Sequence, residues 1–145
     1  MRLLLDTQGQ PQAQAFALEP NPDFVRLELA TQPILEAHSE FVRFKTTRRA
    51  HYDAFTPSDP SVFDTILWNS AGEITEGTRG NLAFCIEGRW ITPPLACGLL
   101  SGIGRAEALK SGRVVEGVVR LADLERVTEV GFVNSLRGWL PAQLT

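Results

Sequence analysis

An α+β domain is the fold this sequence predicts, and three observations predict it. Short β-rich or period-two runs recur along the chain, separated by Gly, Pro, Asn and Asp turn chemistry. Helical signals are confined to two or three short stretches between those runs. A length of 145 residues and a hydrophobic share of 43% suit one packed core, spanning residues 1–145 as a single domain.

The elements are taken in chain order. Arg2 to Asp6 reads as a strand, Thr7 to Pro11 as a turn, and Ala13 to Leu18 as a returning strand. Pro20, Asn21 and Pro22 break the chain between Glu19 and Asp23. From Phe24 to Ala30, Val25, Leu27 and Leu29 alternate with Arg26 and Glu28, the pattern of a half-buried strand. Pro33 interrupts regular structure beyond that strand. Thr46 to Phe55 lacks Gly and Pro and predicts a helix or helical turn, with a loop over Thr56 to Pro60. Asp64 to Trp68 is β-rich, and the turn Asn69 to Gly72 leads into Glu73 to Glu76. Asn81 to Ile86 and Arg89 to Thr92 flank Glu87 and Gly88, a tight-hairpin signal that Pro93 and Pro94 terminate. Gly102 to Lys110 predicts a short helix before a Gly stop, Arg113 to Arg120 a strand, Leu121 to Arg126 a helical turn, and Glu129 to Asn134 the last strand.

Composition removes several classes of function. Fourteen basic residues against 17 acidic ones give a net charge of −3, so no global basic field exists for reading a nucleic-acid backbone. No apolar run approaches the roughly 20 residues a membrane helix needs, and Asp6 interrupts any signal-type start. Cys85 and Cys97 lack metal-ligand spacing and read as reduced thiols, which with the missing signal predicts a soluble cytoplasmic protein. His38 and His51 are too few for a His-rich metal centre, so no metal is expected. Only Lys45 and Lys110 are lysines, so amine chemistry has two possible addresses, and Lys110 in a last helical turn reads as surface.

Four segments carry groups with chemical potential. Lys45 lies between an apolar run and the pair Arg48 and Arg49, where desolvation and positive neighbours would both favour the neutral amine; a snorkelling lysine at a strand end is the alternative. Glu76 stands beside Gly77, with Gly80 and Asn81 following, so its carboxylate is either held at a bend facing a site or exposed on a hairpin loop. Gly98, Gly102 and Gly104 run into a helix whose first N–H groups make an anion site, but the segment matches neither the dinucleotide fingerprint nor a P-loop. Asn134, Ser135 and Arg137 are delivered by a strand into a loop and suit a carboxylate or phosphate, or form a polar surface turn.

Taken in this order, the segments resemble the large, C-terminal domain of the class IV pyridoxal-phosphate enzymes, a fold of mixed strands in a pseudo-barrel with short helices. This superfamily holds the branched-chain and D-amino acid aminotransferases and 4-amino-4-deoxychorismate lyase. Phe44-Lys-Thr-Thr-Arg-Arg-Ala-His-Tyr52 resembles the segment of the lysine that holds the cofactor covalently, which puts that role on Lys45, with Arg48 and Tyr52 at the cofactor and Arg49 at the substrate. Ile74-Thr-Glu-Gly-Thr-Arg-Gly-Asn-Leu82 resembles the stretch whose glutamate pairs with the pyridine nitrogen, implying that role for Glu76 beside Asn81. Thr92-Pro-Pro-Leu and Gly98-Leu-Leu-Ser-Gly-Ile-Gly-Arg105 resemble the phosphate cup, implying Gly102, Ile103 and Gly104 as phosphate ligands.

The turn with Asn134 and Ser135 is more like the lyase version than the aminotransferase one, and the Lys-Thr-Thr-Arg-Arg run is similar to the lyase-like domain fused behind aminobenzoate synthase component I. The resemblance therefore implies pyridoxal 5'-phosphate, a small-molecule amine substrate met by Arg49 or Arg137, release of pyruvate to form 4-aminobenzoate for folate synthesis, and a homodimer. A class IV aminotransferase acting on an amino acid, or a catalytically impaired fragment of either enzyme, is the alternative. Members carry a smaller N-terminal domain ahead of this region, and nothing in residues 1–145 resembles its arginine-bearing segment. The expectation is that such a domain, or an aminobenzoate synthase component, completes the cofactor site.

Overall fold

Ten strands and three short helices span residues 1–145, all described by the computed structural model. The strands are β1 (Arg2–Leu5), β2 (Pro11–Gln14), β3 (Val25–Leu29), β4 (Asp64–Trp68), β5 (Ile74–Gly77), β6 (Asn81–Ile86), β7 (Arg89–Thr92), β8 (Val115–Glu116), β9 (Val127–Asn134) and β10 (Gly138–Leu144). The helices are α1 (Glu40–Arg43), α2 (Ala50–Asp53) and α3 (Ile103–Lys110), joined by single 3-10 turns at Leu95–Cys97 and Leu121–Arg126.

β1 and β2 form a separate hairpin whose turn is closed by Asp6, with Oδ1 accepting the N–H groups of Gln8 and Gln10 at 2.8 Å each. The other eight strands make one mixed sheet in the order β5-β4-β3-β10-β9-β6-β7-β8. Its two ends meet: the Ile74 N–H donates to the Val119 carbonyl at 2.8 Å, and the Leu121 N–H to the Gly72 carbonyl at 3.0 Å. Twisted strands curl a sheet of this width until side chains fill the interior. The result is the mixed pseudo-barrel that the resemblance implies.

Inside it, Leu27, Ile66, Ile74, Phe84, Val119 and Phe132 are completely buried. Two smaller apolar clusters cover its outer face. Ala30, Ile34, Ala37, Val42, Tyr52 and Leu67 pack under the segment that carries α1 and α2, while Ala83, Ala108 and Val114 seat α3 against β6. These two coverings bring Lys45, on one side, and the start of α3, on the other, to the β5–β6 end of the barrel.

Several elements differ from the sequence reading for identifiable reasons. The returning strand is β2, earlier than Ala13 to Leu18, because the Asp6 turn pairs Leu5 with Pro11. The helix expected over Thr46 to Phe55 contracts to α2: the Thr46 hydroxyl donates to the Arg48 carbonyl at 3.2 Å, and Arg49 caps with ψ 7°. Only Val115 and Glu116 of Arg113 to Arg120 form a strand, since Gly117 interrupts it and Val119 turns into the core. β9 is not last. β10 lies between β9 and β3, and its Pro141 faces Gly131 just before the stretch Ala142 to Leu144 that pairs with β3.

Phe132 meets Phe63 edge-on at 5.2 Å between ring centroids and fills the barrel end below Gly77 and Gly80. Phe132→Ala should therefore destabilise the domain by about 3–5 kcal/mol. Urea unfolding measures this, and a loss below about 1 kcal/mol would contradict the packing described.

Candidate active site

The local fold aims Glu76 by an irregularity in strand pairing. Ile66 pairs with Gly77 and Trp68 with Ile74, so Thr75 and Glu76 lie opposite the single residue Leu67. This bulge breaks the alternation that would put Glu76 inside the barrel with Ile74. It brings the carboxylate to the outer face, where Tyr52 packs with Leu67. There the Tyr52 hydroxyl donates to Glu76 Oε1 at 2.6 Å, while the Leu100 N–H and the Asn81 amide donate to Oε2 at 3.1 and 3.4 Å. Glu76 is only 3% exposed and makes no ion pair within 4 Å.

Burial pushes the Glu76 carboxyl up from the ordinary carboxylate range to about 7, against the opposing pull of the Tyr52 and Leu100 hydrogen bonds and the nearby Lys45 charge. Burial also raises the Tyr52 phenol, and the adjoining Glu76 carboxylate adds to the rise. A desolvated carboxylate with oriented donors on both oxygens is suited to receive a cation.

On the other side, α3 starts at Gly102 without a side-chain cap, and the N–H groups of Ile103 and Gly104 have no acceptor in the chain. A side chain at Gly102 would drive its Cβ into Asn81 Oδ1, and one at Gly104 would come within 2.9 Å of Val133. Glycine at both positions lets the helix start close against Asn81 and Asn134, leaving a positive N-terminus with free donors. The Asn81 amide also donates to the Leu100 carbonyl at 2.9 Å, which ties this loop to Glu76.

The structure thus brings Tyr52, Glu76, Asn81, Gly102, Ile103, Gly104 and Asn134 into one continuous region. Lys45 follows α1 and is exposed rather than desolvated, so the sequence argument for a buried amine is corrected. Its charge nevertheless acts on Glu76. Neither arginine behind it faces it: Arg48 stacks at 3.9 Å from the Phe41 ring and pairs with Glu36, while Arg49 donates to the Thr78 carbonyl at 2.8 Å and lies over Tyr52. Asn134 Oδ1 accepts from the Leu136 and Arg137 N–H groups and so shapes the β9–β10 turn, leaving Ser135 exposed. Arg137 donates to the Glu19 carbonyl and to Asn21 Oδ1 at 3.2 and 3.0 Å. Arg105, on the helix of the cradle, is bound to the Pro93 carbonyl and Glu116.

Sequence reasoning does not single out Asp64, Thr78 or the Leu100 N–H. A carboxylate between Phe63 and the apolar strand β4 is the available signal for the first, and a backbone donor leaves none. The residues present fit pyridoxal phosphate: one lysine amine, one buried carboxylate with no cation of its own, and a glycine-cleared helix start with free N–H donors for a phosphate.

The family model described as amino-transferase class IV matches residues 6–144, and the chain belongs to this family. A Schizosaccharomyces pombe protein described as "Putative aminodeoxychorismate lyase" is 38% identical over 100 residues, covering 64% of this chain and 43% of that one. A Thermotoga maritima protein, "Probable branched-chain-amino-acid aminotransferase", is 31% identical over 86 residues, covering 56% and 32%. The crystal structure of a "Putative amino-acid aminotransferase" from Mesorhizobium loti superposes with a TM-score of 0.89 at 35% identity, over 99% of this chain and 71% of that one. The chain therefore spans less than half the length of the first two relatives.

Because Glu76 holds its proton more tightly in the folded state than its ordinary 4.5, the native protein binds the extra proton between about pH 4.5 and 7. Its contribution to stability must then fall as pH rises through that window. Without added cofactor, Glu76→Gln should gain on the parent protein by up to about 3 kcal/mol between about pH 4 and pH 8. Urea unfolding across that range measures it, and parallel stability curves would contradict the buried, unpaired carboxylate.

Proposed function

We propose that this chain is the cofactor-holding part of a pyridoxal-phosphate lyase that acts on 4-amino-4-deoxychorismate, releasing pyruvate and forming 4-aminobenzoate for folate synthesis. The observation that carries the cofactor part of this reading is the buried Glu76 carboxylate, hydrogen-bonded on both oxygens yet lacking a cation. The lyase part is supported by the 38% identity to the Schizosaccharomyces pombe protein described as an aminodeoxychorismate lyase. A second reading, a class IV aminotransferase acting on an amino acid, is favoured by the Thermotoga maritima and Mesorhizobium loti likenesses.

Bound pyridoxal phosphate supplies an electron sink conjugated to the amine of the substrate. The roles of the chain's own residues are those that the resemblance to the class IV enzymes implies, and the chemistry of each residue is compatible with its role. Glu76, held by Tyr52, Leu100 and Asn81, keeps a positive charge on the pyridine nitrogen, and the Ile103 and Gly104 N–H groups bind the phosphate. The Lys45 amine holds the cofactor and then moves the proton. It removes the proton from the ring carbon bearing the amine and returns one to the departing enolpyruvyl carbon. The carbon–oxygen bond to the side chain breaks, pyruvate leaves and the ring becomes aromatic. Arg49 and Arg137 are assigned to the substrate carboxylates, which requires Arg137 to exchange Asn21 and the Glu19 carbonyl for substrate.

The proposal extends to a cytoplasmic homodimer completed by a small domain. No helix is long and apolar enough to cross a membrane, and both cysteines are free and buried. Leu3, Leu5, Phe16, Leu18 and Phe24 are exposed and offer apolar surface for a second copy or a further domain. Since Arg105 is engaged with Glu116, a cation from a small domain would strengthen the hold on the phosphate.

Borohydride reduction of protein mixed with pyridoxal phosphate should label Lys45, and label on Lys110 alone would overturn the assignment. Glu76→Gln should lower turnover by at least about thirtyfold, an electrostatic loss of about 2–4 kcal/mol. Unchanged turnover would remove Glu76 from the reaction. Pyruvate release from aminodeoxychorismate, measured beside amino transfer to a keto acid, separates the two readings.

A further inference from the structure

Asp64 is completely buried at the first position of β4, and no role in the chemistry above uses it. Its carboxylate is unusually well supplied with donors. Oδ1 accepts the Thr65 N–H at 2.9 Å, the Thr78 N–H at 3.2 Å and the Thr78 hydroxyl at 2.5 Å, while Oδ2 accepts the Arg79 N–H at 3.0 Å. The Arg79 side chain reaches only to 4.0 Å, at the edge of an ion pair, and is itself half exposed. Most of the bonds on Asp64 therefore come from one short turn, Thr78 to Gly80, which joins β5 to β6.

That turn is where the candidate site is assembled. Glu76 lies two residues before it and Asn81 directly after it, so its shape sets the spacing between the carboxylate and the amide that donates to it. The Thr78 carbonyl accepts Arg49 from the segment carrying Lys45, and the Arg79 carbonyl accepts the Asn134 amide from the end of β9 at 3.3 Å. Gly77 is cleared for the same contact, since a Cβ there would lie 2.9 Å from Asp64 Oδ2. Three parts of the site, on β5, on the Lys45 segment and on β9, thus converge on backbone that Asp64 holds.

We infer that Asp64, through the Thr78 hydroxyl and the turn it anchors, is a positioning residue that holds Glu76 against Tyr52 and in place for a bound cation. A buried carboxylate bonded to backbone N–H groups is a rigid support, because moving it would strand donors on both sides without water. The inference rests on the reading of Glu76 as the partner of pyridoxal phosphate for its functional meaning, but its structural content stands without cofactor.

Tyr52 is the only tyrosine in the chain, so protein labelled with carbon-13 at the tyrosine ring carbon that bears oxygen gives one NMR signal reporting the Tyr52–Glu76 bond. The test compares parent protein, Asp64→Asn, Thr78→Val and Thr78→Ser, each shown to be folded by circular dichroism, in that signal and in the dissociation constant for pyridoxal phosphate. Thr78→Ser keeps the hydroxyl and should match the parent in both. Asp64→Asn and Thr78→Val should shift the Tyr52 signal and weaken cofactor binding about tenfold. Folded variants that melt at lower temperature but keep the parent signal and affinity would overturn the inference, leaving Asp64 a stability residue only. A Thr78→Ser protein as impaired as Thr78→Val would overturn it too. If the parent binds no pyridoxal phosphate while the Tyr52 signal still depends on Asp64 and Thr78, the positioning role holds and the cofactor reading fails.

Discussion

One constraint organises this molecule: a carboxylate has been buried on the outside of a barrel with hydrogen bonds but no counter-ion. Glu76 is desolvated, and burial, the largest cause, pushes its carboxyl up to about 7 even against the Tyr52 and Leu100 hydrogen bonds and the Lys45 charge. An arrangement that costs stability in the isolated chain persists because surrounding structure over-determines it. Tyr52 and Leu100 fix its oxygens, the β5 bulge fixes its direction, and Asp64 fixes the turn beyond it. Each of these supports comes from a different part of the chain. A functional group assembled in this way is pre-organised for a charge that arrives from outside.

The barrel explains why so few elements suffice. Its interior is filled by side chains and holds no site, so the chemistry is displaced to the outer face. There, two short coverings supply what the sheet cannot: a lysine on one side and a helix start on the other. Close approach of α3 to Asn81 and Asn134 depends on the glycines at 102 and 104. Lys45, in contrast, stands on an exposed segment between two four-residue helices. The buried carboxylate and the glycine-cleared helix start are held by close packing, while the lysine is accessible, an arrangement compatible with the cofactor role proposed for it.

Much of this is legible in the sequence, for reasons that can be traced. The Glu87 and Gly88 hairpin shows itself because both residues adopt positive φ, 53° and 75°, in a two-residue turn. α3, β3 and the turn at Leu121 to Arg126 arise from local signals that agree with the fold. β10 escapes because Pro141 argues against a strand, and only the pairing geometry beside Gly131 accommodates it. The environment of Glu76 escapes for a deeper reason. Strict alternation assigns it to the same face as Ile74, and a bulge is set by tertiary packing against Leu67 and Tyr52, not by local composition. Arg48 and Arg137 carry charges suited to anions, but their actual partners, Glu36 with Phe41 and Asn21 with the Glu19 carbonyl, are not marked by any local pattern.

The central claim, that Glu76 exists to keep a bound pyridine nitrogen positively charged, is tested most directly by nitrogen-15 NMR of pyridoxal phosphate labelled at that nitrogen and bound to the protein. The account predicts a protonated-pyridine shift in the parent protein at neutral pH that is lost in Glu76→Gln. A nitrogen that is unprotonated in the parent, or protonated equally in both proteins, would contradict it.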